Sequence, residues 1–276
     1  MNAYQIQAEA ALVSWDPSDA PADAVRAAFT AAGFPELCPK ARTEYESLKE
    51  AMSTLKAKDQ KLERHKAHEK NGLEVLQVDR DTEVNEYARR RGARVVDGQV
   101  VCDPCLDWEE ERSVQRRFEE ALGEVPSREL SNALVSVVLG KLNGQRLRDR
   151  GALYFVPNES IAKWYLLSDT LQVAGNVSVK LFAAEIAMNE RAAEWITNSL
   201  TKQILADCEK IQQEVANLSA VEAIELRKTR AVELELKVAR YKNILGHGLE
   251  DLEKATQDAQ TAAMIAAMKA MEGVAA

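Results

Sequence analysis

Aromatic residues are scarce, at 5% of the chain, and glycine contributes only 12 of 276 residues. A β-sandwich or barrel needs aromatics for its inner faces and glycine for its many turns, so both counts argue for a fold dominated by helix. Histidine is scarcer still: an imidazole-based acid–base site has only His65, His68 and His247 to draw on. Four cysteines without regular spacing do not make a secreted disulfide framework. No apolar run approaches the ~20 residues that span a bilayer, and no basic-then-apolar leader opens the sequence. The nucleophile-elbow GxSxG, the zinc-binding HExxH and a glycine-rich phosphate loop are all missing. These absences set the expectation of a cytoplasmic protein with no membrane span, no cofactor and no catalytic residues of a familiar pattern.

What is present is ordinary for a folded chain: 46% hydrophobic and 29% charged residues, enough for one large domain or two smaller ones. A net charge of −8 disfavours indiscriminate attraction to phosphate backbones but permits a local basic patch.

After Ala11–Trp15, the residues Asp16, Ser18 and Asp19 with Pro21 read as a helix start. Val25 and Phe29 then share one helical face, and Gly33 ends it. A second helix, about Thr43 to Lys56, sets Tyr45, Leu48, Met52 and Leu55 in an i, i+3, i+4 stripe. Asn71-Gly72 before the alternating Leu73 to Val78, and Asp97-Gly98 between two valine pairs, mark two hairpins. Two helices and two hairpins resemble a winged helix in outline, though the loop between the helices is longer than in a helix-turn-helix.

Helix returns over Trp108 to Leu122. Pro126-Ser127 starts another, whose Leu130, Leu134, Val137, Val138 and Leu142 form an apolar face ended by Asn143-Gly144. The stretch RGALYFVP, Arg150 to Pro157, contains a short buried strand fenced by glycine and proline. A helix capped by Asn158 and a strand over Val177 to Phe182 follow, giving a small β-α-β piece. The last third is helical. Asn189 to Leu218 lines up Ile196, Leu200, Ile204, Ile211 and Val215. A capping box of Ser219 and Glu222 opens a helix reaching about Met271, with Ala231, Leu234, Val238, Tyr241, Leu245 and Leu252 at heptad-like spacing. Glu233 with Lys237 and Glu250 with Lys254 add i, i+4 ion pairs. Gly246 and Gly248 interrupt this helix near His247, so a kinked antiparallel hairpin is expected.

Three groups of residues are candidates for a site. Cys102-Asp-Pro-Cys105 together with His65 and His68 has the composition of a zinc set, but the spacing of the histidines does not bring both to one face of a strand, and two plain thiols at a hairpin end is the preferred reading. Arg89, Arg90, Arg91 and Arg94, with Arg146, Arg148 and Arg150, are the groups that nucleic-acid phosphates would meet. The mixed charge around Glu44, Glu46 and Glu50 favours a salt-paired surface there, so any such binding is expected to be weak. Leu245, Leu249, Leu252, Met264 and Met268 form the apolar seam that a partner or a second copy would cover, the alternative being that the helix bends at Gly246 and Gly248 and folds back onto its own head.

The blocks ALVSWD, AAGFPELCPK, RTEYESLKEA, RxRGALYFVP and RKTRAVELELKVARYKNIL, in that order, resemble an uncharacterised family of bacterial and phage-associated proteins. The resemblance covers nearly the whole chain, implies an α/β head with a helical C-terminal segment, and brings no catalytic residues. The expected architecture is α+β and helix-rich. Residues 1–105 form a winged-helix-like part with two hairpins, 106–188 an α/β part containing RGALYFVP, and 189–276 a helical hairpin. The expected function is a non-enzymatic interaction or scaffolding protein that self-associates or binds a partner through its C-terminal helices, with nucleic-acid binding as the alternative.

Overall fold

The structure is a computed structural model that describes residues 10–56, 60–64, 70–77, 91–104, 106–148, 151–173, 179–217, 220–246 and 249–275. Strand β1 (Ala10–Asp16) and the two-residue β2 (Ala20–Pro21) lead into α1 (Ala22–Ala31) and α2 (Glu44–Ser53). Strands β3 (Gln60–Arg64), β4 (Gly72–Gln77), β5 (Arg91–Val96) and β6 (Gln99–Cys102) follow. Next come α3 (Trp108–Leu122), β7 (Glu124–Val125), α4 (Ser127–Ser136) with a π turn at Val137–Lys141, β8 (Gln145–Arg146) and β9 (Tyr154–Pro157). After them run α5 (Asn158–Val173), β10 (Lys180–Ile186), α6 (Glu190–Asn217), α7 (Val221–Leu245) and α8 (Glu250–Ala275). The fold is α+β and helix-rich, with small antiparallel sheets and a helical C-terminal segment.

The chain divides into two compact units. Of the described residues, one unit takes those within Met1–Trp15, Val135–Tyr165 and Leu181–Ala276, the other those within Asp16–Leu134 and Leu166–Lys180. Neither is a consecutive stretch.

In the second unit, β3-β4-β5-β6 form one antiparallel meander, so the two expected hairpins are halves of a single sheet. Asp97 (φ 52°) and Gly98 (φ 77°) make the β5–β6 turn in the left-handed conformation that the Asp-Gly pair foretells. Asn71-Gly72 behaves differently from expectation. Gly72 already belongs to β4, and Asn71 extends the pairing to β5, its carbonyl accepting from the Val95 N–H at 2.9 Å and its Nδ2 donating to the Val95 carbonyl at 2.7 Å. Leu73, Val75, Ala93 and Val95 turn inward against Leu48, Ala51 and Met52 of α2 and Val114 and Phe118 of α3. Both helices begin with capping boxes, Thr43/Glu46 and Asp107/Glu110, which satisfy their first free N–H groups. At the start of α1 the sequence misleads: Pro21 occupies the N-cap with no side-chain cap. Asp19 instead accepts the N–H of Ser127 at 2.8 Å, the first residue of α4.

In the first unit the sheet runs β10-β1-β9-β8, and β1 pairs antiparallel with β9, Ala10 opposite Pro157 through Val13 opposite Tyr154. RGALYFVP therefore supplies an inner strand, all four residues of β9 buried. Period-two alternation sends Tyr154 onto Trp15, stacked at 4.8 Å with 7° between planes, while Phe155 joins the helical core. Gly144 precedes β8 where a Cβ would lie 2.6 Å from Val138 Cγ1 and 2.9 Å from the Phe155 carbonyl, so no larger residue fits without movement.

The helical segment departs from the expected long hairpin. The helix expected from Ser219 onward is two helices, with Gly246 (φ 68°) closing α7 in the left-handed conformation. α7 starts at Val221 after an N-cap Ala220 that makes no side-chain cap; Ser219, Leu218, His247 and Gly248 lie outside the described residues. Cross-turn ion pairs fix both returns. Arg227 to Glu214 and Arg230 to Asp207 join α7 to α6, and Lys242 to Glu253, at 2.9 Å, joins α8 to α7. The core between the three helices is Ile196, Leu200, Ile204 and Ile211 of α6, Ala231, Leu234, Val238 and Tyr241 of α7, and Leu252, Ala259 and Ala263 of α8. Small residues on α8 let it lie close against its neighbours, because interaxial distance follows the side chains at the contact.

Candidate functional site

Of the expected zinc set, His65, His68 and Cys105 lie outside the described residues. Cys102 ends β6, and burial, reinforced by the Glu111 and Asp103 carboxylates, pushes its thiol up to about 11. Thiolate is the form that metal ligation and disulfide exchange require, and this environment opposes it. Among the described residues, no group of three or more His, Cys, Asp and Glu is placed to hold a metal ion.

Of the four described arginines expected to meet phosphates, three are engaged. Arg91 pairs with Glu110 at 3.0 Å and Arg94 with Asp103 at 3.6 Å, while Arg146 lies over the Tyr154 ring and donates to its hydroxyl at 3.1 Å. Arg148 is exposed; Arg89, Arg90 and Arg150 lie outside the described residues. Of the apolar seam, Leu249 and Leu252 are buried in the chain's own core at 5% and 2% exposure, and Leu245 packs against that core half-buried. The turn at Gly246 folds α8 back and covers them. Met264 and Met268 remain at the surface, 49% and 61% exposed, with Ile265 beside them at 48%.

Two charged sites escaped the sequence. In the second unit, the Arg42 side chain, 8% exposed, donates to Asp19 at 2.5 Å and to Glu124 at 3.0 Å. Its backbone N–H donates to the Glu124 carbonyl, and Glu124 sits opposite Pro21 in the β2–β7 pairing. Arg117 closes the network, 3.2 Å from Glu50 and within 4 Å of both Asp19 and Glu124. Burial raises the Asp19 carboxyl, but hydrogen bonds from Arg42 and the Ser127 N–H, with the charges of Arg42 and Arg117, outweigh it and hold the group below its ordinary 3.8. Every carboxylate here has an arginine partner, and the group acts as a clasp holding β2, β7 and the start of α4.

In the first unit, a cleft of about 550 Å³ lies between the π turn and α7. Leu139 and Gly140 of the turn line one side, and the α7 stripe Arg230, Glu233, Lys237 and Arg240 lines the other. A π turn widens a helix by one residue and often marks a site. Glu233 pairs with Arg230 at 3.2 Å, and so the i, i+4 pair expected with Lys237 does not form. Arg230 also reaches Asp207 at 3.5 Å, and Arg240 reaches Glu159 at 3.7 Å. The Lys237 ammonium makes no hydrogen bond or ion pair among the described residues, and it lies over the Tyr241 ring, 5.9 Å from the centroid. Burial, then repulsion from Arg230, pushes its pKa down to about 8, with Asp207 opposing the shift. The spacing of four charged residues at i, i+3, i+7 and i+10 was the available signal, but spacing does not say which cation keeps a partner.

A family of unknown function, DUF6744, matches residues 18–272. The chain belongs to this family. Membership spans both units, so the clasp and the cleft both fall within the matched region. No curated protein and no solved structure matches the chain. No helix among the described residues is long and apolar enough to cross a membrane.

Proposed function

We propose that this member of the family is a non-enzymatic interaction protein, acting in the cytoplasm of a bacterial or phage-infected cell, that self-associates through the outer face of α8. The observation that carries the reading is the trio Met264, Ile265 and Met268, each about half exposed or more. Met268 neighbours Met264 at i+4 and Ile265 at i+3, so the three share the outward side of the helix. The opposite face, with Leu252, Thr256, Ala259 and Ala263, is fully committed to the core. Unbranched methionines adapt to varied surfaces and recur where helices meet partners. A partner protein of apolar surface is the variant of this reading in which a second chain takes the place of a second copy.

Sedimentation velocity over a dilution series tests it. The expected result is a concentration-dependent mass that falls to the monomer when Met264 and Met268 are both replaced by Asp, with the helical signal unchanged. A monomer at every concentration, in the absence of any other chain, contradicts self-association.

A further inference from the structure

We propose that the cleft between the π turn and α7 is a binding site for a small organic anion, an apolar body carrying one carboxylate or phosphate held at Lys237. The charge inventory of the cleft leads there. Arg230 is paired with Glu233 and Asp207, and Arg240 with Glu159, which leaves Lys237 as the lining cation that makes no ion pair or hydrogen bond among the described residues, Asp207 acting on it without forming an ion pair. A largely buried ammonium without a partner is unfavourable, as its lowered pKa records, and an anion entering the cleft relieves that cost. One uncompensated cation calls for one anionic group. A polyphosphate would demand several.

The remaining walls describe the rest of the ligand. Leu139, Leu234 and Leu236 supply apolar surface. Gln203 lines the cleft with its amide oxygen already accepting from Gln145 at 2.8 Å, so its NH₂ is left to donate to an anionic oxygen. A volume of about 550 Å³ lies in the range of sites for metabolite-sized ligands. The opening is built at its rim by the π turn, where Gly140 removes a side chain, and by Asn143 just beyond it, in a left-handed conformation with φ 54°. This site is independent of the α8 face, since none of its lining residues lies on α8.

The test is calorimetric titration of the full chain at pH 7 with hexanoate, hexyl phosphate and hexanol. One of the two anions is expected to bind one per chain, and which of them binds more tightly distinguishes carboxylate from phosphate. Hexanol and the Lys237→Met variant are each expected to weaken binding about tenfold or more, while Lys237→Arg retains it. Gly140→Leu is a second variant, because an added Cβ there meets nothing within 4 Å and the longer side chain occupies the cleft rather than the core. It is expected to abolish binding with an unchanged melting curve. Failure of both anions to bind at millimolar concentration, or binding that survives both Lys237→Met and Gly140→Leu, overturns the proposal.

Discussion

Arg42 and Lys237 are both cations withdrawn from water, one in each compact unit, and their surroundings could hardly differ more. Around Arg42 the chain brings Asp19 and Glu124 to within hydrogen-bonding distance of one guanidinium, with Arg117 and Glu50 extending the array. Around Lys237 the neighbouring carboxylates form their ion pairs with arginines, and Asp207 reaches the ammonium only as a charge without an ion pair. Removing a charge from water costs several kcal/mol unless geometry restores it, so the first arrangement reads as architecture and the second as an unmet demand. A planar, forked guanidinium suits the structural role, since it meets two carboxylates at once; a point-charge ammonium whose pKa shifts readily suits a site that waits for a ligand.

The harshest way to break this contrast is to create an unmatched charge where the bundle has none. Leu252→Asp places a carboxylate in the core of α6, α7 and α8 and is expected to cost about 3–5 kcal/mol, read from urea unfolding. Arg42→Ala comes next. It strands Asp19 and Glu124, and because these keep 27% and 25% of their exposure the expected loss is roughly 2–4 kcal/mol rather than the full cost of a buried pair. Its pH dependence has a definite sign. Asp19 is held below its ordinary 3.8 in the fold, so its stabilisation is complete above that value and is lost as pH falls through the folded pKa. Acid unfolding of Arg42→Ala is therefore expected to depend less steeply on pH than that of the wild type.

Lys237→Met should act in the opposite direction and more gently. It removes an ammonium the fold disfavours, and is expected to stabilise the protein by about 1 kcal/mol at pH 7. The folded pKa is lowered from 10.5 to about 8, so below about 8 the wild type carries the whole penalty, and between about 8 and 10.5 it gains stability as pH rises. The advantage of the methionine variant should shrink across that window. A constant advantage at every pH would show that packing, not charge, is responsible. Smallest in stability is the pair Met264→Asp and Met268→Asp, within about 0.5 kcal/mol because both side chains are exposed, while association falls.

The local half of this structure was legible in the residues. The stripe Tyr45, Leu48, Met52 and Leu55, the helix Trp108 to Leu122, and the Asp97-Gly98 turn all follow from spacing or from a conformation that few residues adopt. Gly246 also signalled an interruption, and the alternative in which the chain folds back there is the one that buries Leu249 and Leu252. What stayed hidden depends on chain segments far apart in sequence. Asp19 looks like a cap for α1 until Ser127 arrives to take its hydrogen bond, and Ala10–Val13 gives no sign of its pairing with Tyr154–Pro157. Glu233 has equally good claims on Arg230 at i−3 and Lys237 at i+4; Asp207, reached only through the α6–α7 turn, helps hold the arginine where Glu233 meets it. Charge partners are chosen by tertiary structure, and both sites described above are made of such choices.

The most direct measurement is the titration of the Lys237 ε-amine itself in the full chain. Lysine methylene resonances followed by NMR, with Lys237→Met identifying the signal, give its pKa without recourse to any ligand. An unmatched, largely buried ammonium predicts a midpoint near 8, moving upward when an anion occupies the cleft. A midpoint at the ordinary lysine value near 10.5 would mean that Lys237 is either solvated or already paired, and the contrast with Arg42 would fail.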